Sequence, residues 1–169
     1  MNLKNREIQA CTIIDGIKDE LKSISLFLHN NPELGQQEVR AVQTISRYME
    51  QHGFDTTAGL TKCPELRTAM RSDIGLDRLH KMAFLGEYDA LPELGHGCGH
   101  NLIAIMSMGA AIAFSQTARD TWGTTFFGCP AEETIGGKVF MANEGLFNDY
   151  DGAPVSYTHL RAHETSLHL

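Results

Sequence analysis

Residues 81–101, KMAFLGEYDALPELGHGCGHN, decide the fold that this sequence predicts. Lys81 to Tyr88 is apolar enough to form a strand that is buried on both faces. A glycine-rich turn follows it, and a helix is expected from about Leu102 to Gln116, whose small residues allow close packing on a sheet. A buried strand that leads into such a helix predicts a helix-covered, mostly parallel sheet.

The segments on both sides of this stretch support an α/β class. Apolar residues at spacings of three and four predict helices over residues 3–29 and 37–51. Thr68 to Ile74 and Thr124 to Cys129 are predicted as strands, and a last helix is expected over residues 137–144. The resulting order ααββαβα predicts an α/β domain that is incomplete at its carboxyl terminus.

Composition excludes several classes of function. The 169 residues, 42% hydrophobic and 21% charged, fit one globular domain. Fourteen basic and 21 acidic residues give a net charge of −7, which argues against a nucleic-acid partner. The longest apolar run, Leu102 to Phe114, is shorter than the roughly 20 residues that cross a bilayer. Four singly spaced cysteines and an amino terminus without a signal-peptide core predict a soluble cytoplasmic protein without a membrane partner.

The glycine-rich turn carries a candidate metal site. His96, Cys98 and His100 alternate with glycines, and imidazole and thiolate groups are the ligands that zinc prefers. The turn lies between the end of a strand and the start of a helix, where α/β sheets bind their ligands. A helix amino terminus is also expected to lower the pKa of Cys98. The alternative is a loop with solvated histidines and a core cysteine.

Acidic pairs follow two of the predicted strands. Glu132 and Glu133 come directly after the strand that ends at Cys129, and one can bind a metal while the other accepts a proton from water. Asp89 and Glu87 lie at the end of the strand before the glycine-rich turn and can orient metal ligands. The alternatives are a surface charge pair for the first two and strand-end solvation for the others.

Three ordered motifs resemble one enzyme family. They are HNNPELGQQE at residues 29–38, LGEYDALPELGHGCGHN at 85–101 and CPAEETIGGKVF at 129–140. Together they are similar to the aminoacylase-type metallopeptidase and amidohydrolase family (M20), in its subgroup of p-aminobenzoyl-glutamate hydrolase and related dipeptidases. The likeness covers roughly residues 15–153.

This resemblance implies a zinc-exopeptidase-like catalytic domain and a set of site residues. Glu132 matches the general base of the family and Asp89 the aspartate beside its ligands. His96 and Glu87 are possible further contributors. Asn101 stands where many relatives carry aspartate, which bears on the binding of a second metal. The implied metal ligands are Cys98, His100 and Glu133, and the implied cofactor is one or two zinc ions, with manganese possible.

The resemblance also implies a reaction and a larger protein. Family members hydrolyse the amide bond of a small N-acyl or N-aroyl amino acid or a dipeptide. They are more than twice as long, with an inserted dimerisation or lid domain that is absent here. We therefore expect residues 1–154 to be the amino-terminal part of the catalytic domain, inactive in isolation, of a protein that is a homodimer at full length.

The last residues differ from everything before them. Residues 156–169, SYTHLRAHETSLHL, share nothing with the family continuation, so residues 155–169 are predicted to be a non-native tail. The alternative is a short native helix that supplies His159 and His163, four residues apart, to a metal. Two other hypotheses stay open at this point: a complete non-catalytic metal- or thiol-binding module, and a homologue that has become a binding protein.

Overall fold

The protein is described here by a computed structural model that covers residues 3–60 and 63–156. The predicted tail lies outside the described residues except for its first two positions. Every predicted helix and strand is present, with ends shifted by a few residues. One strand (Asp55–Ala58), one short α-helix (Glu132–Ile135) and one 3₁₀-helix (Pro64–Leu66) are additional. In chain order the elements are α1 (Leu3–Asn30), α2 (Val39–Gln51), β1 (Asp55–Ala58), β2 (Met70–Ile74), β3 (His80–Glu87), α3 (His100–Thr117), β4 (Trp122–Cys129), α4 (Glu132–Ile135) and α5 (Gly137–Asn143).

The four strands form one mixed sheet in the order β1-β2-β4-β3. β3 and β4 are parallel, whereas β1 with β2 and β2 with β4 are antiparallel. The α/β class is thus confirmed, but the prediction of a mostly parallel sheet is wrong for these strands. β2 alternates between the buried Met70 and Ser72 and the more exposed Arg71, a pattern of antiparallel strands. Gly152 and Val155 add isolated parallel bridges on the outer side of β3.

Helices cover both faces of the sheet. On one face the core includes Ile45 of α2, Ile112 of α3 and Phe126 of β4. On the other face, Met141 of α5 packs in a second cluster with Phe127 of β4. α3 lies very close to β3: a Cβ added to Gly86 would be 3.2 Å from the Cα of Ala104 in α3. A Cβ added to Gly109, one of the small residues predicted to pack on the sheet, would instead lie 3.0 Å from the side chain of Leu21 in α1.

Parallel pairing of β3 with β4 brings the ends of the two strands to one edge of the sheet. Glu87 is opposite Cys129 in the register, so the segments that follow each strand start side by side. α3 begins at His100, two residues earlier than predicted, because Gly99 takes a left-handed conformation (φ 82°) that lets the chain enter the helix. At the opposite edge, the Trp122 ring packs against His80 with centroids 4.9 Å apart.

Candidate metal centre

Three side chains with metal-binding atoms converge at this edge of the sheet. One atom each of Cys98, His100 and Glu133 lies within 4.8 Å of the others. Cys98 comes from the glycine-rich turn, His100 from the first turn of α3 and Glu133 from α4. Thiolate, imidazole and carboxylate together are a donor set that suits a divalent transition metal. The arrangement can therefore hold a metal ion.

Asp89 holds two of these three residues in place. It is fully buried, its Oδ1 lies 2.8 Å from Nδ1 of His100, and its Oδ2 accepts a hydrogen bond from the backbone N–H of Glu133 at 3.0 Å. Burial alone would lower the pKa of His100, but the hydrogen bond and charge of Asp89 raise it. Burial acts to raise the pKa of Asp89, yet these partners lower it. With Nδ1 occupied, Nε2 of His100 faces Glu133 at 3.4 Å, the orientation of a metal-ligating imidazole.

A lysine separates the remaining two carboxylates of the site. The ammonium group of Lys138 contacts Oε1 of Glu87 and lies 3.1 Å from Oε2 of Glu132. Burial lowers the pKa of Lys138 to about 8, so the side chain remains mostly charged at neutral pH. Oε2 of Glu87 lies 3.0 Å from Nε2 of His100. Glu87 thus contacts both the lysine and the histidine, and its contribution to a metal site stays a prediction.

The adjacent residues Glu132 and Glu133 have different surroundings. Glu133 faces Cys98 and His100, whereas Glu132 faces Lys138. Burial raises the pKa of Glu132, and the backbone N–H of Lys138 opposes that shift. One carboxylate thus lies among the candidate ligands and the other lies beside them. The predicted roles, one metal ligand and one proton acceptor, require such an arrangement.

The pKa of the Cys98 thiol differs from the one predicted from the sequence. Burial raises its pKa, against the opposing effect of His100, whereas the position before a helix predicted a lowered value. The prediction is wrong because removal of the thiolate from water outweighs the nearby helix terminus. A bound divalent cation reverses this balance, since it favours the deprotonated thiol.

A cleft of about 480 Å³ lies beside the cluster. His96 is buried in its wall, burial lowers its pKa, and no described residue is a hydrogen-bond partner for its Nδ1. Asn101 also borders the cleft, but its amide donates to Oγ of Ser25 in α1 at 2.9 Å, so it ties two helices together instead of joining the candidate ligands. The cleft is lined by His29, His96, Gly97, Cys98, Gly99, Asn101 and Leu102.

Comparison with characterised proteins identifies the relatives of this chain. It is 34% identical over 154 residues to the Xaa-Arg dipeptidase of Mus musculus, a match that covers 85% of this chain and 36% of the relative. It is 32% identical over 160 residues to one subunit of the p-aminobenzoyl-glutamate hydrolase of Escherichia coli, covering 83% and 32%. No family model matches the chain. The similarity to these relatives agrees with the family that the three motifs indicate. The chain belongs to the M20 amidohydrolase family.

Solved M20 structures have the same fold. The YXEP protein of Bacillus subtilis, described as a dinuclear metal-binding peptidase of the M20 family, matches with a TM-score of 0.69 at 24% identity, over 82% of this chain and 42% of that one. An aminobenzoyl-glutamate utilization protein from Klebsiella pneumoniae matches with a TM-score of 0.66 at 17% identity, over 86% and 45%. The chain spans about a third of the length of the curated relatives named above.

Two residues whose side chains contact the segment around Glu132 were not indicated by the sequence patterns. Lys138 lies inside the third quoted motif, but its contact with Glu87 joins residues 51 positions apart. Glu38 ends the first motif, and its carboxylate reaches Ala131, 93 positions away. The signal available in the sequence was that both residues lie within the quoted stretches, residues 29–38 and 129–140. None of the helices within residues 3–60 and 63–156 is both long and apolar enough to cross a membrane.

Proposed function

We propose that this M20 protein hydrolyses the amide bond of a small N-acyl or N-aroyl amino acid or a dipeptide. The observation that carries the proposal is the convergence of Cys98, His100 and Glu133 within 4.8 Å, with the carboxylate of Glu132 next to them. The names of the relatives support it, since a dipeptidase, an aminobenzoyl-glutamate hydrolase and an N-acetylcysteine deacetylase of Bacillus subtilis all act on amide bonds.

The donor set fits a divalent metal cofactor. Cys98, His100 and Glu133 would hold it, with thiolate and imidazole favouring zinc and the carboxylate also suiting manganese. One or two ions are compatible with the proposal, because the remaining ligands would come from outside the described residues. When bound, the metal polarises the amide carbonyl and lowers the pKa of a water molecule.

The protein side chains supply positioning and proton transfer. Glu132 accepts the proton of the attacking water as the new C–O bond forms, and returns it to the nitrogen as the C–N bond breaks. The products are then a carboxylic acid and an amine. Lys138 holds Glu132 from one side, and Asp89 fixes the ring of His100 and the backbone of Glu133.

The test uses the longest open reading frame that encodes this sequence. The purified protein is metal-depleted, reloaded with Zn²⁺ or Mn²⁺, and assayed against N-acetyl amino acids, p-aminobenzoyl-glutamate and dipeptides. We expect metal-dependent release of an amino acid, and a loss in kcat of about 10²–10⁴-fold in Glu132→Gln. The matched control Glu50→Gln changes an exposed carboxylate at the end of α2 and should retain full activity. Bound metal with no hydrolysis of any substrate would instead favour a non-catalytic metal-binding module.

The wider organisation is also a proposal. We propose that residues 1–154 are the amino-terminal part of a larger catalytic domain and that the isolated chain is inactive. The half-exposed apolar side chains of Leu26, Leu102 and Met106 support this, because such surface is usually covered in a complete domain. A homodimer, a cytoplasmic location and a small-molecule substrate stay predictions of the sequence.

A further inference from the structure

Glu38 is a buried carboxylate outside the candidate metal cluster. It precedes α2, and none of its surface is exposed. Its Oε2 accepts a hydrogen bond from the hydroxyl of Thr68 at 2.6 Å, and its Oε1 accepts one from the backbone N–H of Ala131 at 2.8 Å. A carboxylate is costly to bury, so its two oxygens need such donors. The second donor belongs to the residue directly before Glu132.

Ala131 has an unusual backbone conformation. Its φ of 56° and ψ of 35° lie in the left-handed region, which a residue with a Cβ adopts rarely. Such a conformation persists where surrounding contacts enforce it. It turns the chain from the end of β4 into α4, whose first two residues are Glu132 and Glu133. The conformation of Ala131 therefore sets the direction in which both carboxylates leave the sheet.

Other atoms of the segment before Glu38 contact the same edge of the sheet. The backbone carbonyl of Glu33 accepts a hydrogen bond from the N–H of Ala90, next to Asp89, at 2.8 Å. A Cβ added to Gly35 would lie 2.9 Å from the Cα of Ala131 and 2.5 Å from the hydroxyl oxygen of Thr134. Residues 33–38 thus touch both chain segments that carry the carboxylates of the site.

We propose that Glu38 is a positioning residue that holds Ala131 in its left-handed conformation and thereby places Glu132 for proton transfer. This role rests on the proposed function of Glu132. It connects residues 33–38, which are far from the metal ligands in sequence, with the segment that carries Glu132. Gly35 completes the arrangement, because a glycine at this position lets residues 33–38 pack directly against Ala131.

The test compares Glu38→Gln, which keeps a hydrogen-bond acceptor, with Glu38→Met, which removes it at similar volume. Both are made in the longest open reading frame, and kcat and KM are measured at saturating Zn²⁺. We expect Glu38→Met to lower kcat by about 100-fold with little change in KM, and Glu38→Gln to restore most of the loss. Asp73→Asn is the matched control, because Asp73 also accepts a hydrogen bond from a threonine hydroxyl, that of Thr125, but lies on β2. Its kcat should stay within about twofold of wild type.

A second measurement does not depend on activity. Hydrogen exchange of the peptide that contains residues 130–135 should be about 10–100-fold faster in Glu38→Met than in wild type, since the Ala131 N–H loses a charge-assisted hydrogen bond. Asp73→Asn should leave this peptide unchanged. If Glu38→Met does not fold, Gly35→Ala serves instead, since the added Cβ should displace Ala131 and lower kcat in the same way.

Two results would overturn the proposal: unchanged exchange at residues 130–135 in Glu38→Met and Gly35→Ala, or an equal loss of kcat in Glu38→Gln and Glu38→Met. Failure of the wild-type protein to cleave any amide substrate would reject the proposed function. In that case the exchange measurement would still decide whether Glu38 holds Ala131.

Discussion

Replacement of Lys138 by methionine is expected to destabilise the protein by about 3–5 kcal/mol. The magnitude follows from the burial of Glu87, whose side chain is 1% exposed and whose Oε1 contacts the lysine. Removal of the cation leaves an uncompensated buried carboxylate, with Nε2 of His100 at 3.0 Å from its other oxygen. For a protein of this size, such a loss corresponds to a decrease in Tm of about 6–20 °C.

Removal of the carboxylate of Glu87, instead of the lysine, should destabilise the protein less. Glu87→Gln removes the buried charge and leaves Lys138 with a second partner, Glu132, at 3.1 Å and a side chain that is 14% exposed. We expect a loss of about 1–2 kcal/mol for this variant. The double variant, Lys138→Met with Glu87→Gln, should be more stable than Lys138→Met alone, because it buries no unpaired charge.

Urea denaturation followed by circular dichroism, in the presence of a chelator, measures all four members of this cycle. The slope of free energy against urea should stay constant, which shows that the compactness of the unfolded state is unchanged. Lys22→Met, an exposed lysine on α1, is the matched control and should cost less than about 0.5 kcal/mol. The reasoning is refuted if Lys138→Met costs less than 1 kcal/mol (about the value of an exposed ion pair), or if the two substitutions are simply additive.

Three further outcomes are expected. Cys98→Ser should weaken divalent-metal binding by at least about 100-fold in calorimetric titrations, and unchanged binding would remove Cys98 from the ligand set. Phe126→Ala, at a fully buried position between sheet and helices, should cost about 3–5 kcal/mol in urea unfolding without loss of the fold. Burial raises the pKa of Glu38 above its usual 4.5, so its contribution to stability is complete below pH 4.5 and is lost as the pH rises through the raised pKa. Glu38→Gln should therefore gain stability relative to wild type as the pH rises above 4.5, and equal pH dependence of the two proteins would contradict this.

Much of the site was predictable because its residues follow strand ends. Asp89 follows β3 and Glu132 follows β4, and the parallel pairing of these strands places such residues at one edge. That pairing could be inferred from apolar sequence, since strands buried on both faces are characteristic of parallel sheets. The roles assigned to the individual residues stay predictions.

The differences from prediction have physical reasons. β1 is a short strand with the sequence DTTA and little burial, so no apolar alternation marks it, and its antiparallel pairing with β2 was missed with it. The antiparallel pairing of β2 with β4 joins two strands that were both predicted, and its direction depends on tertiary contacts that local sequence does not contain. The contacts of Glu38 and Lys138 join residues that are 93 and 51 positions apart. Local periodicity carries no information on such pairs. The raised pKa of Cys98 likewise depends on burial, which a helix-terminus argument does not include.

The position of Trp122 makes this residue an intrinsic fluorescence probe. It is the sole tryptophan of the chain, and it starts β4 at the edge opposite the candidate metal centre. Since β4 ends at Cys129, the backbone of Trp122 lies about 23 Å from the start of residues 130–135, at about 3.3 Å per residue. Metal or substrate that binds without a wider rearrangement should leave its emission unchanged, whereas separation of the His80 and Trp122 rings should alter it. Intrinsic fluorescence would thus distinguish local occupancy of the site from a change that runs the length of the sheet.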